Sequence, residues 1–232
     1  MYIHLKLSEL EELALLQKVK QNMISRGLSY KLHNTLYLSV TNLNICTSLI
    51  DTRGPNFQMP IESGFKLIQG AEPTVDELTS IINDHYANDA NIIGMGENDP
   101  GVKFCGNGEP LLRTKIITDT IANIKEVRHG CRFNVYTCGL FDPNVALDLK
   151  EGGVSGVTVA LNAADPNTYN RIMKPTNNKS FSDVCTFILS CVEAGLDVTA
   201  TAVDTPDVKV KDVRDLAISL GAIEFKSRTY HP

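Results

Sequence analysis

Residues 156–203, GVTVALNAADPNTYNRIMKPTNNKSFSDVCTFILSCVEAGLDVTATAV, contain one full unit of the pattern that decides the fold. The unit consists of a β-rich run, two helical segments and a second β-rich run, at 156–161, 166–173, 181–194 and 197–203. Asp165 and Pro166 form a typical helix start, and Gly195 is a typical helix stop just before the next strand. This order predicts two parallel strands joined by a right-handed crossover.

The same alternation continues over most of the chain. β-rich runs predict strands at 35–40, 102–106, 132–138, 156–161, 197–203 and 222–228. Periodic apolar residues between them predict helices at 74–85, 114–127, 143–150, 166–173, 181–194 and 209–220. Six such units predict an α/β fold, a partial (β/α)6 barrel of the TIM type that remains open.

Two segments fall outside the repeating units. Residues 8–25 carry an apolar stripe behind a capping box of Ser8 and Glu11, which predicts an amphipathic helix. We therefore expect a helical extension at 1–30, ahead of a barrel at 31–232. The segment 86–101, rich in Asn, Asp and Gly, predicts a surface insertion in the barrel.

Composition narrows the class of protein. The formal net charge of -5 and a sequence pI near 5.5 argue against nucleic acid or an anionic membrane as a partner. The chain begins without the apolar run of a signal peptide, and we expect a cytoplasmic location. In a reducing compartment the six cysteines are expected to be free thiols, and the absence of any CxxC pair argues against an ordinary zinc site.

In a parallel barrel, working residues sit on the loops that follow the strands. The loop after the predicted strand at 102–106 is the most informative of these. Gly106 and Gly108 allow a ligand to approach the backbone, and Glu109 adds a carboxylate that can hold an ammonium group. The alternative is structural: Pro110 starts a helix and Glu109 pairs with Arg113 one turn on.

Four segments together resemble a known family. They are NTLYLSVTN at 34–42, FCGNGEPLLR at 104–113, VALNAADPNTYNRIMKP at 159–175 and AVDTPDV at 202–208. In order and spacing they are similar to the core of radical S-adenosylmethionine (SAM) enzymes, and most similar to the radical SAM proteins associated with TatD-type nucleases. The resemblance implies a partial (β/α)6 barrel with a SAM site at its mouth.

The resemblance also implies which residues bind SAM. The loop formed by Gly106, Asn107, Gly108, Glu109 and Pro110 would hold the amino group of SAM. Residues at the ends of later strands would contact the rest of the ligand, namely Thr137, Asn162 and Val203.

One loop departs from the family pattern, which places CxxxCxxC after the first strand to bind three irons of a [4Fe-4S] cluster. Cys46 matches one of the three positions, but the loop is about two residues shorter and the other two positions fall on Asn44 and Leu49. Neither an amide nor an isobutyl group replaces a thiolate, so we expect a degenerate motif without a cluster and no metal site. Atypical ligation through Cys105 or Cys138 is the alternative, although either thiol can equally belong to the core.

Cations near the predicted mouth are the remaining candidates. Arg53 either binds a carboxylate or phosphate there or lies solvated beside the Gly54-Pro55 turn. Arg171 and Lys174 present the same choice.

Three functions follow from these observations, and the sequence assigns no catalytic residue. The first is a protein that has lost the cluster but keeps a site for SAM or a related small molecule. The second is an active radical SAM enzyme with atypical cluster ligation. The third is a non-catalytic pseudoenzyme that interacts with a protein partner, for which the resemblance suggests a TatD-like nuclease. Whether the chain is an enzyme therefore stays open.

Overall fold

The computed structural model describes residues 26–32, 35–59, 65–68, 72–87, 93–94, 99–176 and 178–232. The predicted helix at 8–25 lies outside these residues. The described chain forms one seven-stranded sheet in which strand order follows sequence order. Its strands are β1 (Ser29–Leu32), β2 (Thr35–Ser39), β3 (Val102–Cys105), β4 (Phe133–Thr137), β5 (Gly156–Ala160), β6 (Asp197–Asp204) and β7 (Glu224–Thr229).

Helices connect the parallel strands and cover the outer face of the sheet. They are α1 (Val75–His85), α2 (Thr114–Val127), α3 (Asn144–Glu151), α4 (Pro166–Met173), α5 (Phe181–Glu193) and α6 (Val210–Ser219). The caps anticipated from the sequence are present: Thr74 forms a capping box with Glu77, and the Asp165 side chain accepts from two backbone N–H groups of α4. Among the described residues, no helix is long and apolar enough to cross a membrane.

The sheet curls into a half-barrel, which confirms the predicted fold class. The pairs from β2–β3 to β6–β7 are all parallel, and the predicted strands and helices match the observed ones to within two residues at each end. The prediction missed β1, which pairs antiparallel with β2. It has four residues, of which Lys31 and Leu32 are exposed, so neither length nor alternation distinguishes it from a loop.

The two faces of the sheet have different chemistry. One face packs on the helices through fully buried side chains such as Leu38, Phe104 and Val157. The opposite face lines the lumen of the half-barrel, where Tyr37 lies beside Lys103 and Val203 beside Arg228 in the strand register. The core therefore lies between sheet and helices, and the lumen is free to carry function.

The segment 86–101 is described in part, because 88–92 and 95–98 lie outside the described residues. Ile93 is fully buried and forms a parallel bridge with Cys131. The Asp99 carboxylate accepts hydrogen bonds from the Tyr86 hydroxyl at 2.9 Å and from two backbone N–H groups, at Gly94 and Gly101. The surface insertion stays a prediction, but its described residues include a buried apolar anchor.

Candidate functional site

The loop after β3 packs directly against the loop after β2. The backbone N–H of Gly108 donates to the Thr41 carbonyl at 3.1 Å, and that of Glu109 donates to the Leu43 carbonyl at 2.8 Å. A Cβ atom on Gly108 would lie 2.3 Å from the Thr41 oxygen. Gly108 is thus required by the close approach of two backbones, which is a reason independent of any ligand.

Glu109 is buried, with 4% of its surface exposed. One carboxylate oxygen accepts from the Cys138 N–H at 2.7 Å and the other from the Leu111 N–H at 3.0 Å. Burial raises the pKa of Glu109, and these backbone donors oppose the rise. The carboxylate therefore ties the loop after β3 to the end of β4.

Arg113 does not pair with Glu109, although that pair was the structural alternative for this loop. The Arg113 guanidinium donates to the Val40 carbonyl at 2.8 Å, and its Nε lies 3.6 Å from the Glu72 carboxylate. Glu72 precedes α1 and is distant in sequence, so spacing along one helix could not identify it as the partner. Pro110 does begin a helical turn, a 3-10 turn at Pro110–Arg113, as the structural alternative required.

The three positions matched to the cluster motif have distinct surroundings. The Asn44 amide donates to the Asn107 carbonyl at 3.0 Å, in the loop that the resemblance assigns to the amino group of SAM. The Cys46 thiol lies near the Cys138 thiol, and this proximity together with burial raises the pKa of Cys138. Leu49 lines the lumen cavity described below.

Within the described residues, the cysteines do not bring three thiols together at one place. All six cysteines lie within the described residues, and two of them, Cys46 and Cys138, meet at the mouth. Cys105 is buried near Tyr30, and burial raises the pKa of its thiol to about 11. Across the described ranges, no three His, Cys, Asp or Glu side chains are grouped so that they could hold a metal ion. A site-differentiated cluster needs three thiolates from the protein.

The structure divides the predicted SAM contacts into two sets. Asn162 and Val203 line a cavity of about 190 Å³ in the lumen, whereas Thr137 and the loop at 106–110 are not part of its lining. Asn162 adopts a left-handed conformation with φ 56°, and its Oδ1 accepts from the Val203 N–H at 3.1 Å. Thr137 is buried, and its hydroxyl accepts from the Gly139 N–H at 3.0 Å.

The cavity has aromatic and apolar walls and two cations. Arg53 and Arg228 both line it, and none of its described lining residues is acidic. The remaining lining side chains are mostly apolar or aromatic: Tyr30, Leu32, Tyr37, Leu49, Ile50, Thr52, Phe57, Met59, Phe65, Cys105, Tyr136, Ala160, Asn162, Thr201 and Val203. A cavity of this size suits a small ligand or one end of a larger ligand.

Arg53 is held in place at the mouth. Its Nε donates to the Thr229 carbonyl at 2.8 Å, and its guanidinium carbon lies 4.3 Å from the centroid of the Phe57 ring. The chain end packs on the same loop, since the His231 N–H donates to the Arg53 carbonyl. Of the two other predicted cations, neither Arg171 nor Lys174 lines the cavity, and Arg171 is 3.4 Å from the Asp207 carboxylate.

The sequence analysis missed Arg228 and the three lumen tyrosines. Tyr30 stacks on Tyr37 with ring centroids 4.8 Å apart, and Tyr37 lies 6.3 Å from Tyr136. The alternation of side chains within each strand could have identified them, because it places Tyr37, Tyr136 and Arg228 on the face opposite the apolar core residues.

A curled parallel half-barrel with a cavity at the carboxyl ends of its strands has the architecture in which parallel barrels carry their ligand sites. The family comparison is specific: the Radical SAM superfamily model matches residues 68–219. The chain belongs to the radical SAM superfamily.

Two curated relatives that this chain resembles share one activity. A probable GTP 3',8-cyclase of Methanocaldococcus jannaschii is 31% identical over 159 residues, which cover 62% of this chain and 50% of the relative. A GTP 3',8-cyclase of Alkaliphilus oremlandii is 29% identical over 140 residues, covering 60% of this chain and 39% of the relative. The chain thus spans half or less of the length of these relatives.

Solved structures support the fold. Native anSMEcpe with bound AdoMet aligns with a TM-score of 0.60 at 13% identity, over 85% of this chain and 51% of that chain. Streptococcus suis SuiB bound to S-adenosylmethionine aligns with a TM-score of 0.58 at 14% identity, over 86% of this chain and 43% of that chain. At this level of identity the likeness concerns the fold alone.

Proposed function

We propose that this chain is a radical SAM superfamily barrel that binds SAM or a related adenosyl compound at its mouth without a [4Fe-4S] cluster held by cysteines. The observation that carries the proposal is the small number of cysteine thiols available to ligate iron at the mouth. Six described cysteines bring two thiols together at the mouth, and the positions that should supply two further thiolates hold Asn44 and Leu49. Reductive cleavage of SAM by a cluster bound in the usual way is then not its activity.

The adenosyl ligand is proposed from family membership and from the cavity. Asn162 and Val203 are the proposed contacts, since both line the lumen. The Asn107 carbonyl is a third, because its hydrogen bond from the Asn44 amide is exposed and a ligand ammonium group can replace that donor. Glu109, with both oxygens bonded to backbone N–H groups, supports the site by fixing the loop.

Iron content tests the first half of the proposal. After anaerobic reconstitution with iron and sulfide, we expect a colourless protein with iron far below four atoms per chain. Cys46→Ala and Cys138→Ala should give the same spectrum as the unaltered chain. A stoichiometric cluster whose broad visible band disappears in either variant would contradict the proposal and favour atypical ligation.

Thermal stability tests the second half, with SAM, S-adenosylhomocysteine, methylthioadenosine and 5′-deoxyadenosine as ligands. Without an iron to chelate SAM, we expect a dissociation constant of about micromolar at best, near -8 kcal/mol. A ligand present at one hundred times its dissociation constant stabilises the native state by about 2.7 kcal/mol, which a melting shift detects. Val203→Phe, which fills the cavity, should abolish the shift, and Val127→Phe on the exposed surface should retain it. No shift with any ligand would overturn the adenosyl site.

An active radical SAM enzyme is the second candidate, favoured by the identity of about 30% to GTP 3',8-cyclases. It requires iron ligands beyond Cys46 and Cys138, so the iron measurement separates it from the first. The kinship with TatD-associated proteins and a TatD-like nuclease as partner stay predictions. A pull-down with such a nuclease, combined with the absence of any adenosyl shift, would favour the pseudoenzyme.

A further inference from the structure

Arg53 and Arg228 are placed as a pair, and the described residues around them include no acidic partner. Both line the same cavity, Arg53 from the loop after β2 and Arg228 from the lumen face of β7. Within the described part of the chain, neither guanidinium lies within 4.0 Å of a carboxylate, and no acidic side chain lines the cavity. Burial and the charge of Arg228 both lower the pKa of Arg53, as expected for like charges in a partly dry site.

Other charged groups in the lumen are arranged differently. At the end of the lumen nearer the amino termini of the strands, Arg132 lies 2.8 Å from Asp197 and Lys226 lies 2.8 Å from Glu224. These cations are therefore paired. The Lys103 amino group lies 5.6 Å from the Tyr37 centroid and 5.9 Å from the Tyr136 centroid, next to the rings that also line the cavity. Lys103 adds positive potential to the unpaired arginines.

We propose that this cavity binds the phosphoryl group of a small phosphate monoester between Arg53 and Arg228, with the organic part of the ligand against the tyrosine rings. A phosphate monoester carries about -1.5 to -2 charges at pH 7, so it balances two guanidiniums, whereas a carboxylate balances one. Guanidinium forks also match phosphate oxygens bidentately. Because Nε of Arg53 is engaged by Thr229, its remaining N–H groups are the donors for the ligand.

This inference rests on the proposed lumen ligand site and assigns to it a second ligand, an anion beside Arg53 and Arg228 that is distinct from the adenosyl compound. The probe is phenyl phosphate, with benzoate as its monoanionic counterpart and inorganic phosphate as the group without a ring. We expect phenyl phosphate to raise the melting temperature and to bind about 10-fold or more tightly than benzoate, because a charge-assisted hydrogen bond to each arginine contributes. Inorganic phosphate should compete with it, but more weakly.

Arginine variants locate the site. Arg53→Gln and Arg228→Gln should each weaken phenyl phosphate binding by about 10-fold or more. Arg214→Gln, an exposed arginine on α6 with the same charge change, should leave binding intact. In the ligand-free protein at low salt, Arg228→Gln should melt no lower than the unaltered chain, since it removes repulsion from Arg53. Arg228→Lys keeps the charge but not the fork and should bind at an intermediate level.

Two results would overturn the inference. One is equal binding of phenyl phosphate to the unaltered chain and to both glutamine variants. The other is no binding at millimolar concentration while SAM still shifts the melting temperature, which would leave the proposed function intact. Conversely, phenyl phosphate binding that depends on Arg53 and Arg228 in a protein that SAM does not stabilise would support the anion site and refute the adenosyl ligand.

Discussion

Glu109 belongs to a loop that resembles a SAM-binding motif, but its structural role alone explains why a glutamate is found there. Its carboxylate is buried yet makes two hydrogen bonds to backbone N–H groups, of Leu111 and Cys138. Burial raises its pKa more than these donors lower it. A Glu at this position is thus explained before any ligand is considered, and so is Gly108, whose Cβ would collide with the Thr41 oxygen.

Substitution of Glu109 should therefore change stability. Glu109→Ala leaves two buried N–H groups without an acceptor, at a cost of about 1–3 kcal/mol for each. Because the pKa of Glu109 is raised in the folded state, the native protein holds this proton longer than the unfolded chain does. The free energy of unfolding of the unaltered protein should then fall relative to that of Glu109→Gln as pH rises from about 4 to 7. Urea unfolding of both proteins across this range is the measurement, and the opposite trend would mean that the native state favours the ionised carboxylate.

At the scale of elements, local sequence patterns predicted the strands and helices of the parallel units. They did not predict the element whose formation depends on tertiary contacts, β1. The start of α4 and the stop at Gly195 are written in a few adjacent residues, so these boundaries were predictable. β1 depends on pairing with β2 and on the stacking of Tyr30 over Tyr37, which no local pattern reveals.

The candidate site was predictable to the extent that topology places it. Asn162 and Val203 do share the cavity, as residues at the ends of adjacent strands should. Glu109 and Arg113 each have a partner that is distant in sequence, Cys138 and Glu72 respectively, which helical spacing could not identify. Arg228 lines the cavity only because its side chain lies on the lumen face of β7.

The segment 86–101 was predicted to be a surface insertion, and its contribution to stability can be tested. Ile93 is fully buried and bridges to Cys131, whereas Ile223 is 69% exposed. We expect Ile93→Ala to lower the free energy of unfolding by about 2–5 kcal/mol. The matched change Ile223→Ala should stay within about 0.5 kcal/mol of the unaltered protein. Chemical denaturation measures both, and a cost for Ile93→Ala as small as that of the control would show that the segment is a dispensable surface insertion.

On the scale of the whole molecule, the lumen differs from the rest of the protein in charge. The chain has a formal net charge of -5, yet its cavity is lined by two arginines and lies next to Lys103. A cationic lumen in an acidic protein concentrates small anions at one place while the surface repels large polyanions. This distribution favours a small anionic ligand over nucleic acid, in agreement with the inference drawn from the arginine pair.

Buried cysteine thiols and tyrosine hydroxyls determine how the stability of the whole fold changes at high pH. Burial raises the pKa of Cys105 to about 11 and that of Cys191 to about 12, and it raises the pKa values of Tyr30 and Tyr136 as well. Each of these groups stays protonated in the native state at pH values where the unfolded chain has begun to lose the proton. The stability they contribute is complete below the unfolded pKa and is lost as pH rises toward the folded pKa.

We therefore expect the free energy of unfolding to fall as pH rises above about 8.5, the pKa of an unperturbed cysteine thiol. Cys191→Ala removes one such group from α5, so its stability relative to the unaltered chain should improve by about 2 kcal/mol between about pH 8 and 10. Val192→Ala, the neighbouring residue in the same helix, does not titrate, and its stability difference should stay constant over the range. Urea unfolding under reducing conditions gives the three curves. Parallel curves for the unaltered chain and Cys191→Ala would mean that the thiol titrates alike in the folded and unfolded states, and that its burial does not stabilise the protonated form.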